Sequence, residues 1–504
     1  MKNIKNLFLV IGVFSGLVAC NDAIDIDQPG RLDADAAFQT VDDLEAGLFG
    51  VYDQFDISPD IAFQSIFTDE LAIGFDNGGQ GLADYGFVLN AGSTAPAVFW
   101  TNGYDQLNAA NRLIEASEIV EPEAGEQARF NQILGEAYAL RAWGHFTLLS
   151  YFSPDYTDDN ALSVINLDFV PTIDQQLLRN TNGETFALIE EDLTRAASLM
   201  TEDNGVTRIN DDFVTALRAR IAAYRADPGN PSDPNWGTAA SLSQQLIAKY
   251  PLANRAEYEA MFLDLSDGEV IFKLERTAGD NYDGQGATGS PAAGGWAGAR
   301  FAFTGPGVDG SPYFEMGRSL FNLMDPADIR YDVNVHPSSV IDPDYQNGVG
   351  GQNNDILVVN KYQGSEGQPL MNDLKIFRAS EMYLIRAEAL AAQGNLGDAA
   401  ALVKELRDAR FGTATALPSF SNSTQAYAAI LNERRVELAF EGHRYLDIKR
   451  LGSAANQGVL KDPVDCGFNG ACTLSADDFR FTLPLPIVEF NANPGLREQQ
   501  NPGY

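Results

Sequence analysis

Three glutamates, Glu433, Glu437 and Glu441, stand four residues apart in NERRVELAFEGHRYLDIKRLG. On a helix that spacing makes one stripe of like charge, which is unfavourable unless cations meet it. Two chemistries suit such a stripe: a carboxylate metal site, or an ion-pair network that registers two helices. The network is the expectation, with Arg434 and Arg444 as local partners and Arg378 or Arg386 on a neighbouring helix. Glu136 and Arg141 in GEAYALRAWGHF are read the same way. Catalytic patterns are scarce. The chain holds three histidines, His145, His336 and His443, and has no G-x-S-x-G, H-E-x-x-H or P-loop motif. Gly284, Gly286 and Gly289 spell G-x-G-x-x-G, but a dinucleotide site needs a helix to open after it, and SPAAGGW follows instead. Glycoside hydrolysis needs two suitably spaced carboxylates. Among 70 acidic residues some pair always fits, so that pattern carries no weight.

Aromatic residues in loops point to binding. Trp296 in PAAGGWAGARF has only small neighbours and no helical or strand phase to bury it, and Tyr282 shares the same glycine-rich stretch. A second loop, FDNGGQGLADYGF, offers Asn77, Gln80 and Tyr85. Flat rings flanked by amides suit a sugar, whose C–H face packs on a ring while its hydroxyls find polar partners. Trp296 and Tyr282 are therefore the expected platform, with Asn77, Gln80, Tyr85 and Arg300 as edge contacts. Trp100, in FWTNGYDQLNAAN ahead of a helix expected from Tyr104, is read either as a ligand contact or as helix packing. Trp143 lies on a helix face and is assigned to the core.

The elements that must position these rings are helical. Thr40 with Asp43, and Thr181 with Glu184, have capping-box spacing. Apolar residues recur at helical intervals from Leu44 to Phe55, Tyr104 to Ile114, Phe130 to Leu148 and Phe186 to Met200, and helices continue over 213–226 and 238–249. Tyr383, Ala387 and Leu390 line one helix, Gly394 and Asn395 turn the chain, and Ala399, Val403 and Leu406 line the next. Such a pair is tetratricopeptide-like. Residues 277–310 are rich in glycine and poor in helix formers, a long excursion of the kind that is functional or disordered. The expected fold class is mainly α: tetratricopeptide-like helix pairs in an α-α superhelix, with an irregular loop-rich ligand-binding face.

At the N-terminus Lys2 and Lys5 precede an uncharged run from Leu7 to Val18. It is shorter than the roughly 20 residues a membrane span needs, so it reads as the core of a signal peptide. Leu17-Val18-Ala19-Cys20 resembles a bacterial lipobox, which makes Cys20 the lipidated first residue of the mature chain. Residues 1–19 are then the signal peptide, 20–35 a polar tether and 36–504 one body, divided into a helical part 36–276, a loop-rich part 277–374 and a helical part 375–504. Removing the leader leaves 32 Lys and Arg against 70 Asp and Glu, a net charge of −38. Such a field discourages nucleic acid and favours a neutral ligand over a polyuronate or sulfated one, unless a local basic patch or bound calcium reverses it. Cys466 and Cys472 in DCGFNGAC are expected to form a disulfide outside the cytoplasm. No metal site is expected.

Several stretches in order carry a resemblance: TVDDLEAGLFGVYDQF, ARFNQILGEAYALRAWGHFTLLSYF, TFALIEEDLTRAASLM, RASEMYLIRAEALAAQGNLGDAAALVKELRDAR, ERRVELAFEGHRYLDIKRLG and LPLPIVEFNANPGLREQQNPGY. With the lipobox they resemble, nearly end to end, the SusD/RagB family of outer-membrane nutrient-binding lipoproteins of Bacteroidetes. The resemblance implies four tetratricopeptide-like helix pairs carrying a loop-built sugar face, and no catalysis. It implies a lipid-anchored place on the cell surface, as a lid on a SusC-like TonB-dependent outer-membrane transporter that receives the captured oligosaccharide. It places the sugar face at the 75–87 loop and the 277–310 excursion, and makes the charges around Glu437 part of the scaffold. The expected ligand is a neutral glycan, with a β-glucan such as laminarin screened first. The alternatives are a peptide-binding member of the family and a glycoside hydrolase. No cofactor is expected, with a structural calcium ion left open.

Overall fold

The computed structural model describes residues 37–74, 77–172, 174–201, 204–277, 312–347 and 355–504. In its N-terminal half the principal helices are α1 (Val41–Asp53), α2 (Ser58–Phe67), α3 (Thr94–Ser117), α4 (Gln127–Phe152), α5 (Asn182–Leu199), α6 (Asp211–Arg225) and α7 (Pro234–Lys249). The C-terminal half adds α8 (Ala379–Ala392), α9 (Leu396–Phe411), α10 (Ser423–Glu437) and α11 (Arg444–Ala455). Both expected capping boxes are present. At α1 the Thr40 hydroxyl accepts from the Asp43 amide while the Asp43 carboxylate accepts from the Thr40 amide, and Thr181 and Glu184 repeat this at α5. Each box satisfies two helix-end donors that have no partner within the helix.

The helices stack in neighbouring pairs: α3 on α4, α4 on α5, α6 on α7, α8 on α9 and α10 on α11. Helix α7 packs on α8 and so joins the sequence-distant halves. Glycines set the closest approach of α3 to α4, because a Cβ on Gly103 would lie 2.6 Å from Leu148 and one on Gly144 2.9 Å from Leu107. Helix α4 is buried almost all round from Gln132 to Phe152, with Trp143 in the core as expected. A helix enclosed in this way shows no polar stripe. Helix α3 begins at Thr94 and not at Tyr104. Pro96 in its first turn is tolerated because the missing N–H would have had no partner there. Trp100 is consequently inside the helix and not ahead of it. No helix of the described residues is long and apolar enough to cross a membrane.

Short antiparallel strands tie the loops down. Strand β1 (Leu71–Ile73) pairs with β3 (Phe314–Met316), and β2 (Val270–Leu274) pairs with β4 (Leu374–Arg378). A small hairpin, β5 (Val459–Leu460) with β6 (Thr473–Leu474), follows α11. The G-x-G-x-x-G at Gly284–Gly289 lies outside the described residues.

The glutamate stripe is buried, but it does not run along one helix. Helix α10 ends at Glu437, and the chain bends through Phe440 (φ 60°) and Gly442 (φ 78°). Glu441 nevertheless meets the cation that holds Glu437. Arg378 donates to Glu437 at 2.9 Å and to both Glu441 oxygens at 2.9 and 2.8 Å. Arg410 donates to Glu437 at 3.0 Å and to Glu269 at 2.8 Å, and Arg330 donates to Glu433 at 2.6 Å. With Lys361 on Glu441, Arg407 on Glu433 and Asp328 on Arg330, five cations face five carboxylates among the described residues. Of the four cations expected from sequence, Arg378 alone joins. Arg434 pairs with Asp447, Arg444 with Asp69, and Arg386 makes no ion pair among the described residues. Glu136 and Arg141 also part company, Glu136 to Arg208 and Arg141 to Asp192.

Candidate functional site

The loop after β1 is shaped by close backbone approach. A Cβ on Gly74 would stand 2.0 Å from the Pro312 carbonyl oxygen, so only glycine lets this strand run beside the Pro312–Met316 segment. The Gly74 amide and the Asn77 side chain both donate to the Tyr313 carbonyl, at 3.0 and 2.9 Å. Asn77 Oδ1 accepts from the Gly79 amide at 3.0 Å, closing an Asx turn. Asn77 is therefore buried and spent on the turn, which corrects its reading as a ligand contact. Gln80, three residues on, is exposed.

Tyr85 is corrected as well. Its ring is fully buried, its hydroxyl donates to the Asp465 carbonyl at 2.9 Å, and the Lys461 ammonium sits 3.5 Å from the ring centroid. The cover comes from the segment after β5, far along the chain, where Cys466 and Cys472 are disulfide-bonded with their Cα atoms 5.2 Å apart. Trp100 is buried too, its indole N–H donating to Glu489 at 2.9 Å and its ring packed on Tyr104 and Phe152. The helix-packing reading is the right one. Trp296, Tyr282 and Arg300 lie outside the described residues, as does Cys20.

The disulfide-closed loop supplies a ring that sequence reasoning missed. Phe468 is 52% exposed and lies parallel to the buried Tyr85, with centroids 6.0 Å apart and planes 13° from each other. Exposed Asn469 is its chain neighbour, and the Asn469 amide lies 3.9 Å from where a Cβ on Gly86 would be. Leu82, 40% exposed, belongs to the same short helix as Tyr85 (Leu82–Tyr85). An aromatic ring with small neighbours and no helical phase was the signal that singled out Trp296. Gly467-Phe468-Asn469-Gly470 carries the same signal.

Beneath this shelf, burial dominates the electrostatics. It pushes the Lys461 ammonium down to about 7 and Asp465 up to about 7, the latter despite a hydrogen bond from the Arg318 amide. Burial also raises Asp84 to about 6. The arrangement offers an apolar face with the Asn469 amide beside it, which is the chemistry of stacking and hydrogen bonding.

Comparison with known proteins agrees with this fold. A family model described as "SusD family" matches residues 330–504, and one described as "Starch-binding associating with outer membrane" matches residues 79–222. Over these two stretches the chain is similar to the SusD/RagB family. The first match contains Glu437 with Arg330, Arg378 and Arg410 and the disulfide loop, and the second contains Tyr85 and the stack of α3 on α4. SusD-like protein P2 of Formosa agariphila is 23% identical over the whole of both chains. Starch-binding protein SusD of Bacteroides thetaiotaomicron is 30% identical over 158 residues, 30% of this chain and 26% of that one. Among solved structures, a SusD superfamily protein from Bacteroides thetaiotaomicron superposes with a TM-score of 0.74 at 23% identity, covering 92% of this chain and 100% of that one. Surface glycan-binding protein A from Bacteroides fluxus gives 0.68 at 21% identity, covering 92% and 100%. These two likenesses establish the SusD fold.

Proposed function

We propose that this chain is a cell-surface lipoprotein that captures a glycan on its loop-built face and passes it, without catalysis, to a SusC-like TonB-dependent transporter in the outer membrane. The observation that carries the reading is the Phe468 shelf: an exposed ring braced by a buried one, in a loop closed by a disulfide. Two similar proteins, one a starch-binding protein and the other a surface glycan-binding protein, support the ligand class. The family description supports the outer membrane as location. A β-glucan such as laminarin is the ligand to screen first, since a chain of net charge −36 repels polyanions at long range.

Affinity electrophoresis through a panel of glycan gels tests the reading. The wild-type chain is expected to be retarded by at least one glycan, and Trp296→Ala to lose most of that retardation. Unchanged mobility of Trp296→Ala in the best gel would remove Trp296 from the platform. Retention of peptides and of no glycan would move the whole assignment to peptide capture. The lipobox makes a separate prediction. Cys20→Ala is expected to shift the protein from the membrane pellet to the soluble fraction with its glycan retardation intact, because acyl chains anchor by burying roughly 0.8 kcal/mol per CH₂. A Cys20→Ala protein that still sediments with membranes would show another means of attachment.

A further inference from the structure

A second concavity, of about 900 Å³, lies between α10, α11 and the β5–β6 hairpin. None of Asn77, Gln80, Tyr85 and Phe468 lines it. Two arginines, Arg435 and Arg444, line its floor, in a chain whose net charge is −36. Arg435 and Arg444, 7% and 4% exposed, share a single carboxylate, Asp69. Arg444 grips both Asp69 oxygens, at 2.9 and 3.1 Å, while Arg435 donates to the Asp69 carbonyl and to Ser319 Oγ. Burial works to raise Asp69, but Arg435 and Arg444 together outweigh it and hold the carboxyl at about 2. Burial brings Arg435 down only to about 10. Both guanidiniums are therefore charged at neutral pH, and Asp69 offsets one of them. The neighbouring Glu70, pushed up to about 7 by burial, accepts from Ser65 and is not part of the lining.

The floor is also incompletely paired. Among the described residues Arg444 Nη1 is buried without a hydrogen-bond partner, and Arg435 Nε has only the Asp69 carboxylate, at 3.4 Å. A charged donor left in that state is under-satisfied, so an anion at the groove is drawn to the two guanidiniums that line it. The walls carry the amides and hydroxyls of Asn432, Ser453, Gln457 and Ser475, and Leu460 is 62% exposed at the hairpin. That mixture of hydrogen-bonding groups with an apolar surface matches a sugar ring.

We infer that this groove is a second saccharide site, selective for an acidic sugar whose carboxylate or sulfate seats against Arg435 and Arg444. The inference rests on the glycan reading above for the class of molecule that bears the anion. It gives the chain a local preference opposite to the one its net charge sets at long range.

Two substitutions at the groove test it without touching the buried arginines. Ser453→Glu, at an exposed position of α11, adds a negative charge, and Asp477→Asn removes the one lining carboxylate other than Asp69 among the described residues. The full chain is titrated calorimetrically with an oligogalacturonate, a dextran sulfate oligosaccharide and a laminarin oligosaccharide. For the acidic probe that binds, Ser453→Glu is expected to weaken affinity about fivefold and Asp477→Asn to strengthen it by a similar factor, the scale of one partly exposed charge contact. Laminarin affinity stays unchanged in both. Ser198→Glu, which adds the same charge on α5 outside the groove, is expected to change nothing. Whichever acidic probe binds more tightly names the anionic group. The proposal is overturned if neither acidic probe binds while laminarin does, or if acidic binding ignores both groove variants. Acidic binding that follows the variants, without laminarin binding, would uphold the groove and overturn the neutral-ligand expectation. Binding of no saccharide at all would remove the glycan reading and this proposal together.

Discussion

Replacing Glu437 with glutamine is expected to cost about 3–5 kcal/mol of folding stability, the range found when one partner of a buried ion pair is removed. The measurement is urea unfolding, with a lower midpoint and an unchanged slope. Glu437 is fully buried and receives Arg378, Arg410 and Arg330 from three separate parts of the chain. An amide keeps the shape but not the charge, so those arginines would be left with Glu269, Glu433 and Glu441. The effect belongs to the network and not to α8–α10 packing in general. Arg386→Ala on α8, where no ion pair is formed among the described residues, is expected to cost less than about 1 kcal/mol. If the two variants unfolded alike, the network would not be what fixes α10 to β4 and α9.

The same variant should change the pH profile with a definite sign. Burial acts to raise the Glu437 carboxyl, but Arg410, Arg378 and Arg330 outweigh it and hold it well below its ordinary 4.5. A carboxyl depressed by folding contributes stability that is complete above its unfolded pKa and is lost as pH falls through its folded one. The wild-type advantage over Glu437→Gln should therefore be full at pH 6 and shrink below about pH 4.5. Asp60 and Glu70 run the other way. Burial raises both to about 7, so their ionisation lowers stability between pH 4 and 7 in wild type and variant alike. Taking the difference between the two proteins removes that background.

How far the structure could be read in advance depended on the range of the contact. Capping at Thr40 and Thr181 and the α8–α9 turn at Gly394 are settled within a few residues, and the pattern declares them. That the glutamates meet cations was also legible, because three like charges so close in sequence need partners wherever these come from. Which cations was not legible. Arg330, Arg410 and Glu269 come from elements far apart in sequence, and the bend at Phe440 and Gly442 decides where Glu441 points. Tyr85 shows the same limit at the ligand face. Its loop is polar and glycine-rich, which argues for an exposed ring, yet Lys461, Asp465 and Phe468 cover it from the other end of the chain. The ring reaching solvent is the covering one, and its exposure follows from that stacking.

Phe468 and Tyr85 should therefore fail in opposite ways when truncated. Phe468→Ala removes a ring that is 52% exposed, so stability is expected to stay within about 0.5 kcal/mol. Glycan affinity should fall by about 1–2 kcal/mol, roughly 5- to 30-fold, as for an aromatic anchor at a binding surface. Tyr85→Ala removes a buried ring, leaves the Asp465 carbonyl without its donor and takes away the face on which Lys461 rests. That is expected to cost about 3–5 kcal/mol of stability, with glycan affinity lowered through the loosened shelf. Tyr85→Phe separates the two contributions, since it keeps the stack beneath Phe468 and loses only the hydroxyl bond. It should destabilise by about 1 kcal/mol and bind glycan as the wild type does. Paired urea and glycan titrations of the three variants check this. A Phe468→Ala protein that binds as tightly as wild type would mean that the ring merely closes the disulfide loop over Tyr85, and the platform would have to be sought at Trp296 and Tyr282.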